Sequence, residues 1–320
     1  MKTWLEDVNQ KKEVYDAKRT IVAIAKHGTR LKGVSFDVLL GAYLLDTNDL
    51  GTDMAAVAQQ YGYTEIQSDV SIYGKGAKRA LPEDGVMFEH LARKIKVIKG
   101  LTNQLEEALA EKNQDQLFHQ MELRLSEVLA EMEIIGITVD SERLEHMRVD
   151  FAKRLHDIET KIYEMAGETF NLNSPKQLGV ILFEKMGLPV IKKTKTGYST
   201  AVDVLEQLRE QAPIVDDILI YRQISKIQST YIEGLLKMIQ ADGRVHTRYV
   251  QTLTQTGRLS SVDPNLQNIP IRLEEGRRIR EAFVPKQKDW LIYASDYSQI
   301  ELRVLAHISD DEHLKQAFIE

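Results

Sequence analysis

Apolar residues recur at three- and four-residue steps along most of the chain, the spacing of amphipathic helices. Thr20–Ala25 and Val38–Leu45 show it first, punctuated by turn signals at Gly28, Gly33, Asn48–Gly51 and Tyr73–Gly76. Residues 86–135 read as strongly helical. Their stripe Leu117, Met121, Leu125, Val128, Leu129, Met132 and Ile135 ends at Gly136 and is predicted to pack into a core. A second helix starts near Asp140–Ser141 and stops at Gly167, burying Leu144, Met147, Phe151, Leu155, Ile158, Ile162 and Met165. The two are expected to form a helical hairpin. Ser174-Pro175 signals another helix start, and a long helix spans Pro213 to about Gln240. Asp242-Gly243 marks a tight turn into a β-like segment, Arg244–Val250. Near the end, the apolar, β-prone residues 290–295 predict a buried strand. Helical spacing resumes at Ser298, and Ser309–Glu312 reads as a capping box.

Composition narrows the class. A chain of 320 residues, 43% hydrophobic and 28% charged, has material for two or three domains. It has no apolar run long enough to span a membrane and no signal-peptide pattern. The absence of cysteine excludes disulfides, thiolate metal sites and cysteine nucleophiles, and is compatible with a reducing cytoplasm. The net charge of −6 is unevenly spread: +2 over residues 1–100, −9 over 101–170, +6 over 171–288 and −5 over 289–320. That asymmetry predicts a basic surface beside an acidic site, as an enzyme holding both nucleic acid and metal ions requires.

Candidate chemistry concentrates in a few places. Asp296 falls where the predicted strand gives way to a helix, with Glu301 about one turn on. Such a junction suits metal and phosphate chemistry, and an Asp there also caps a helix; both readings stand. Ser174 is a helix cap whose free N–H groups, with Lys176, also suit a phosphate. Lys192–Thr200, with three lysines, fits either a loop along a nucleic-acid backbone or solvated surface. Arg222 and Lys226, four residues apart, need an acidic partner, an external anion or solvent. Gly74-Lys75-Gly76 lacks the strand and the motif of a phosphate loop and reads as a plain turn. Residues 251–272 are irregular but dense in Thr, Asn and Gln around Arg258, which suits base edges and sugars as well as a simple polar loop.

Two motifs carry a resemblance. Thr256-Gly-Arg-Leu-Ser-Ser261 with Asp263-Pro-Asn-Leu-Gln-Asn-Ile-Pro270 resembles the primer–template segment of family A DNA polymerases, and Asp296-Tyr-Ser-Gln-Ile-Glu-Leu-Arg303 resembles their first catalytic motif. The resemblance implies an α/β and α+β multidomain chain. Residues 1–100 would be part of a degenerate, RNase H-like 3′–5′ exonuclease-type domain, 101–240 a helical thumb and 241–320 the N-terminal part of the palm. It implies a DNA-directed DNA polymerase of replication and repair, adding deoxynucleotides to a primer 3′-hydroxyl with release of pyrophosphate and using two Mg²⁺ ions. Asp296 would be a catalytic metal ligand, with the Tyr297 carbonyl beside it. Ser298, Gln299, Ile300 and Glu301 would line the nucleotide site, Glu301 as the gate against a 2′-hydroxyl. Arg258, Asn265, Gln267 and Asn268 would meet the primer–template in the minor groove. Ser174, Arg222 and Lys226 would hold backbone phosphates. The implied partners are primer–template DNA and deoxynucleoside triphosphates, with no membrane, for a cytoplasmic monomer.

The sequence departs from the family pattern in two ways. Thr20, His90 and Lys94 stand where the proofreading site would carry an aspartate and a Tyr-x-x-x-Asp pair, so no exonuclease activity is expected. The fingers helix and the second palm aspartate are not found before Glu320. The chain is therefore expected to be an internal fragment, inactive alone. The alternative reading is a non-catalytic DNA-binding fragment.

Overall fold

The computed structural model describes residues 1–48, 53–195, 197–271 and 273–319. Of the turn expected at Asn48–Gly51, only Asn48 is among them; Thr196, Arg272 and Glu320 also lie outside. The chain divides into two compact units, Met1–Phe283 and Val284–Glu320.

The first unit opens with α1 (Lys2–Glu6), β1 (Lys12–Val14), α2 (Ala17–Ala25), β2 (Val34–Asp37), α3 (Val38–Leu45), α4 (Met54–Gln60) and α5 (Asp69–Tyr73). A 28-residue helix, α6 (Asp84–Glu111), follows. The strands β1 and β2 pair in parallel. Phe36, Val38, Leu40, Leu101, Leu105 and Phe118 form the core between α3 and α6. Aspartates start the helices here, because a short carboxylate reaches back to the free N–H groups of the first turn. Asp16 caps α2, Asp37 caps α3 and Asp53 caps α4.

A π-helical turn, Leu117–Glu122, leads into α7 (Leu123–Ile135), then β3 (Ile137–Thr138) and α8 (Ser141–Ala166). The stripe predicted to be core is largely on the surface: Met121, Val128, Met132 and Ile135 are exposed. The buried face of this region is Phe118, Leu123, Ser126, Leu129, Ala130 and Glu133. Two of those six are polar, which is why hydrophobicity alone selected the wrong side of the helix. No helical hairpin forms either. The α7 helix packs on α2, whereas α8 packs on α11 (introduced below), because Gly136 and β3 turn the chain away between them. Gly136 has φ +65°, and a Cβ there would lie 2.8 Å from the His246 ring. The expected start and stop of α8 hold: Asp140 accepts the Arg143 N–H at its start, and Gly167 ends it in the left-handed conformation.

Beyond α8 come α9 (Pro175–Gly179), a π-helical turn at Val180–Lys185, β4 (Lys193–Thr194), β5 (Gly197–Tyr198), α10 (Val202–Leu208) and α11 (Pro213–Lys226). The lysine-rich segment read as a loop is thus a small antiparallel hairpin, β4 with β5. The helix predicted from Pro213 continues through a π-helical turn at Ile227–Glu233 into α12 (Gly234–Met238). The single β-like segment after it is two short strands, β6 (Arg244–Val245) and β7 (Arg248–Val250). Each pairs elsewhere: β6 with β3, and β7 with β8 (Ser260–Val262). The last helix of the unit is α13 (Glu274–Arg280).

In the second unit, residues 290–295 are not a buried strand: they form no regular element and no strand pairing among the described residues, and they are exposed, with Leu291 91% accessible. A strand is completed only by a hydrogen-bonded neighbour, and apolar composition cannot supply one. Two helices follow, α14 (Ile300–Ser309) and α15 (Glu312–Ile319). The cap of α15 is Asp311, which accepts the Leu314 N–H at 2.9 Å, in place of the predicted Ser309. No described helix is long and apolar enough to cross a membrane.

One buried carboxylate joins distant parts of the first unit. Glu133 on α7 pairs with Lys18 on α2 and accepts the Tyr249 N–H of β7 at 2.8 Å. Its own backbone carbonyl faces His246 Nδ1 at 2.7 Å. Glu133→Ala would leave the partly buried Lys18 ammonium and Tyr249 N–H without this partner. We expect a loss of about 3–5 kcal/mol, read from chemical denaturation; a loss under about 1 kcal/mol, the range of an exposed pair, would show the network to be superficial.

Asp37 supplies a pH-dependent term. Its carboxylate accepts N–H bonds from Ala17 at 2.7 Å, Asp16 at 3.0 Å and Leu39 at 3.0 Å. Burial nevertheless pushes the carboxyl up to about 6 from 3.8, with the Asp16 charge adding to the rise and the N–H donors opposing it. Between those values the folded chain binds the extra proton, so stability falls as pH rises through this window. The advantage of the wild type over Asp37→Asn is expected to shrink by about 2 kcal/mol between pH 3.8 and 6. A constant difference across that window would contradict the assignment.

Candidate functional site

The polar stretch after β7 is irregular, as expected, but its side chains are sorted. Leu266 and Ile269 turn inward onto the core of Leu144, Phe151, Ile227 and Ile279. Asn265, Gln267 and Asn268 are exposed. The backbone beneath them is fixed by side chains: Leu266 N–H donates to Ser261 Oγ at 3.1 Å, and Tyr231 OH donates to the Asn268 carbonyl at 2.6 Å. Asn265 Oδ1 accepts the Gln267 N–H at 3.0 Å, which leaves its amide NH₂ outward. Arg258 is exposed on the turn before β8, where the Thr254 hydroxyl donates to its backbone carbonyl at 2.8 Å. The result is an outward row of amides and one guanidinium on a rigid inner edge, an arrangement suited to groove edges.

The residues read as phosphate contacts lie nearby in sequence order but differ in state. Ser174 caps α9, its hydroxyl accepting the Gln177 N–H at 3.4 Å. Arg222 is half-buried, and its partner is neither an acid nor solvent: the guanidinium donates to the Thr200 carbonyl and, at 3.0 Å, to the Thr200 hydroxyl. Burial lowers its pKa from the usual arginine range. Lys226, one turn further along α11, is exposed. Thr200 is buried, so Arg222 fixes the end of the β4–β5 hairpin segment to α11.

Asp296, Tyr297, Ser298, Gln299, Ile300 and Glu301 belong to the second unit and are all exposed. Asp296 sits in irregular chain ahead of α14 and does not cap it. Gln299 takes the N-cap position in a left-handed conformation, φ 53°. Glu301 is in the first turn of α14, where a negative charge is favoured by the helix dipole. Arg303 bonds the Ser298 carbonyl at 3.0 Å and lies over the Phe318 ring at 4.6 Å, which holds α14 against α15. Among the described residues no three His, Asp or Glu side chains gather as a metal cage. Mg²⁺ is ordinarily held by one or two carboxylates completed by water and substrate phosphates, and a lone Asp296 with the Tyr297 carbonyl fits such a partial set of hard oxygen donors.

The N-terminal region carries its own cleft, about 830 Å³, lined by Tyr15, Thr20, Asp53, Asp69, Lys75 and Lys94, among others. Sequence reading singled out Thr20, His90 and Lys94 there but missed Asp69, which no motif flags. Asp69 meets His90 Nε2 at 2.8 Å and Lys94 Nζ at 2.6 Å. Burial alone would raise its carboxyl; the hydrogen bonds from Lys94 and His90 outweigh it and hold the group below the usual range. Thr20 donates its hydroxyl to the Asp16 carbonyl. Asp69 is thus partnered within the protein, by Lys94 and His90.

The whole chain resembles known proteins. Residues 1–101 match the ribonuclease H-like domain of DNA polymerase I, and residues 141–320 match DNA polymerase family A. DNA polymerase I of Bacillus subtilis (strain 168) is 59% identical over 99% of this chain, and that of Geobacillus stearothermophilus 55% over 98%. The chain spans 36% of the length of each. Among solved structures, the POL domain of Pol1 from M. smegmatis, in complex with DNA primer-template and dNTP, has a TM-score of 0.84 and 38% identity; the match covers 99% of this chain and 53% of that one. With an RNase H-like region followed by polymerase sequence, and with relatives of this identity across nearly all its length, the chain belongs to DNA polymerase family A.

Proposed function

We propose that this chain supplies the primer–template track and one metal-binding aspartate of a DNA-directed DNA polymerase, a nucleotidyltransferase of DNA replication and repair. The observation that carries the reading is the sorted segment 251–269, apolar side chains inward and Arg258, Asn265, Gln267 and Asn268 outward, in a chain of this family. Minor-groove acceptors occur in every base pair, so such a row would test pairing geometry at the primer end without reading sequence. Lys226, Arg222 and the Ser174 helix start would add phosphate contacts.

Asp296 and the Tyr297 carbonyl would hold Mg²⁺, which when bound activates the primer 3′-hydroxyl and neutralises the triphosphate. Ser298, Gln299 and Ile300 would flank the incoming deoxynucleoside triphosphate. Glu301, exposed in the first turn of α14, would stand against the sugar and exclude a 2′-hydroxyl. In the same reading, residues 1–100 form the exonuclease-like domain without exonuclease activity, 101–240 the thumb and 241–320 the palm portion. The second palm aspartate and the fingers helix would come from polymerase sequence outside these residues, so the chain would not extend a primer by itself. A cytoplasmic monomer completes it.

Binding of a labelled primer–template duplex, followed by fluorescence anisotropy, tests the DNA half. Affinity should fall steeply with salt, and Lys226→Ala should reduce the log–log slope by about 1. Salt-insensitive binding would overturn the track. In a polymerase that contains these residues with the second aspartate, Asp296→Ala should abolish primer extension with Mg²⁺, and Glu301→Ala should admit ribonucleotides. Normal extension by the first variant, or unchanged sugar discrimination by the second, would remove the corresponding role.

A further inference from the structure

From β7 toward the Arg258 turn, residues 249–254 are held by earlier parts of the chain through three separate contacts. Tyr249 N–H donates to Glu133 on α7 at 2.8 Å. Gln251 Nε2 donates to the Glu122 carbonyl at 2.9 Å and to the Glu122 carboxylate at 2.5 Å. Tyr43, on α3 of the RNase H-like region, donates its hydroxyl to the Thr254 carbonyl at 2.6 Å. Residues 251–254 belong to no strand, so side chains supply what a sheet would otherwise provide. Gln251 and Thr252 are buried, Tyr43 is only 4% exposed, and the Thr254 hydroxyl then closes the turn onto the Arg258 carbonyl. From α3 to Arg258 the path runs through one hydroxyl, one peptide and one turn.

We propose that the RNase H-like region serves as a platform that positions Arg258 for the primer–template, with Tyr43 as the positioning residue. This function needs no chemistry in the cleft of Asp69 and Lys94. It gives the region a role through α3, whose Tyr43 holds the Thr254 peptide ahead of the Arg258 turn. The proposal rests on the reading of residues 251–269 as a primer–template track. A hydroxyl is well suited to the task. It sits on a ring locked in the core, so it offers the Thr254 carbonyl a donor fixed in place, and little entropy is lost in making the bond.

The test uses the whole chain with Tyr43→Phe, Gln251→Leu and Arg258→Ala, and a labelled primer–template duplex. Tyr43→Phe keeps the ring and deletes only the hydrogen bond. It should speed amide exchange across residues 251–258 and raise the dissociation constant about fivefold, leaving the salt slope unchanged because no phosphate contact is lost. Gln251→Leu should act in the same direction. In the Arg258→Ala background, Tyr43→Phe should add less than a twofold effect, as expected for residues acting in series. Wild-type exchange and affinity in Tyr43→Phe, beside weakened binding by Arg258→Ala, would overturn the platform alone. A full additional loss in the Arg258→Ala background would also overturn it, marking Tyr43 as merely structural. Wild-type affinity of Arg258→Ala would instead overturn the DNA reading beneath the proposal.

Discussion

The first unit depends on a buried charge that cannot be left alone. Glu133 lies on the inward face of α7, where an unpartnered carboxylate would cost several kcal/mol, so its surroundings must bring donors to it. Lys18 comes from α2 and the Tyr249 N–H from β7, elements separated by more than a hundred residues of sequence. A hydrophobic residue at this position would gain from burial in many arrangements. The carboxylate accepts few, because its donors must arrive at fixed places. That restriction sets α2, α7 and β7 in one register and makes the packing of the N-terminal helices a condition for where the polar segment after β7 begins.

Sequence periodicity recovered those elements whose buried face is apolar. The α8 helix was legible from Asp140 to Gly167, since Leu144, Met147 and Phe151 do face the core and an Asp and a Gly mark its ends. The α7 stripe failed for the converse reason. Its inward positions include Ser126 and Glu133, and its apolar residues Met121, Val128, Met132 and Ile135 face outward. A moment computed from hydrophobicity cannot anticipate a buried ion pair whose partner is α2. Residues 290–295 failed differently: side-chain preference for a strand is local, but strand hydrogen bonds are not.

Legibility at the candidate site followed the same division. The identities of Asp296, Glu301, Arg258 and the amides could be picked out because their motifs are contiguous. What each does with its hydrogen bonds could not. Ser174 and Arg222 turn out to be engaged by Gln177 and Thr200, and Asp69 enters only because His90 and Lys94 converge on it from α6. Tyr43 carries no signal at all in the sequence. It reads as one more apolar position of α3, and only the Thr254 carbonyl beside its hydroxyl distinguishes it.

The two halves of the candidate chemistry are therefore supported in unlike ways. Arg258 and the amides stand on packed apolar side chains and on side-chain hydrogen bonds to their backbone closed within the first unit, so the backbone that carries them is held without a ligand. Asp296 stands on irregular chain whose apolar neighbours Leu291 and Tyr293 are exposed and whose backbone groups have no strand partner among the described residues. An apolar, β-prone segment without strand partners can accept another strand. Once paired, alternate side chains along 290–296 would be fixed on opposite faces, and the direction of the Asp296 carboxylate would follow from that register. On the proposed reading, metal chemistry at Asp296 would be a consequence of sheet formation, whereas recognition of a duplex would rest on packing already present in α3, α7 and the core beneath Leu266.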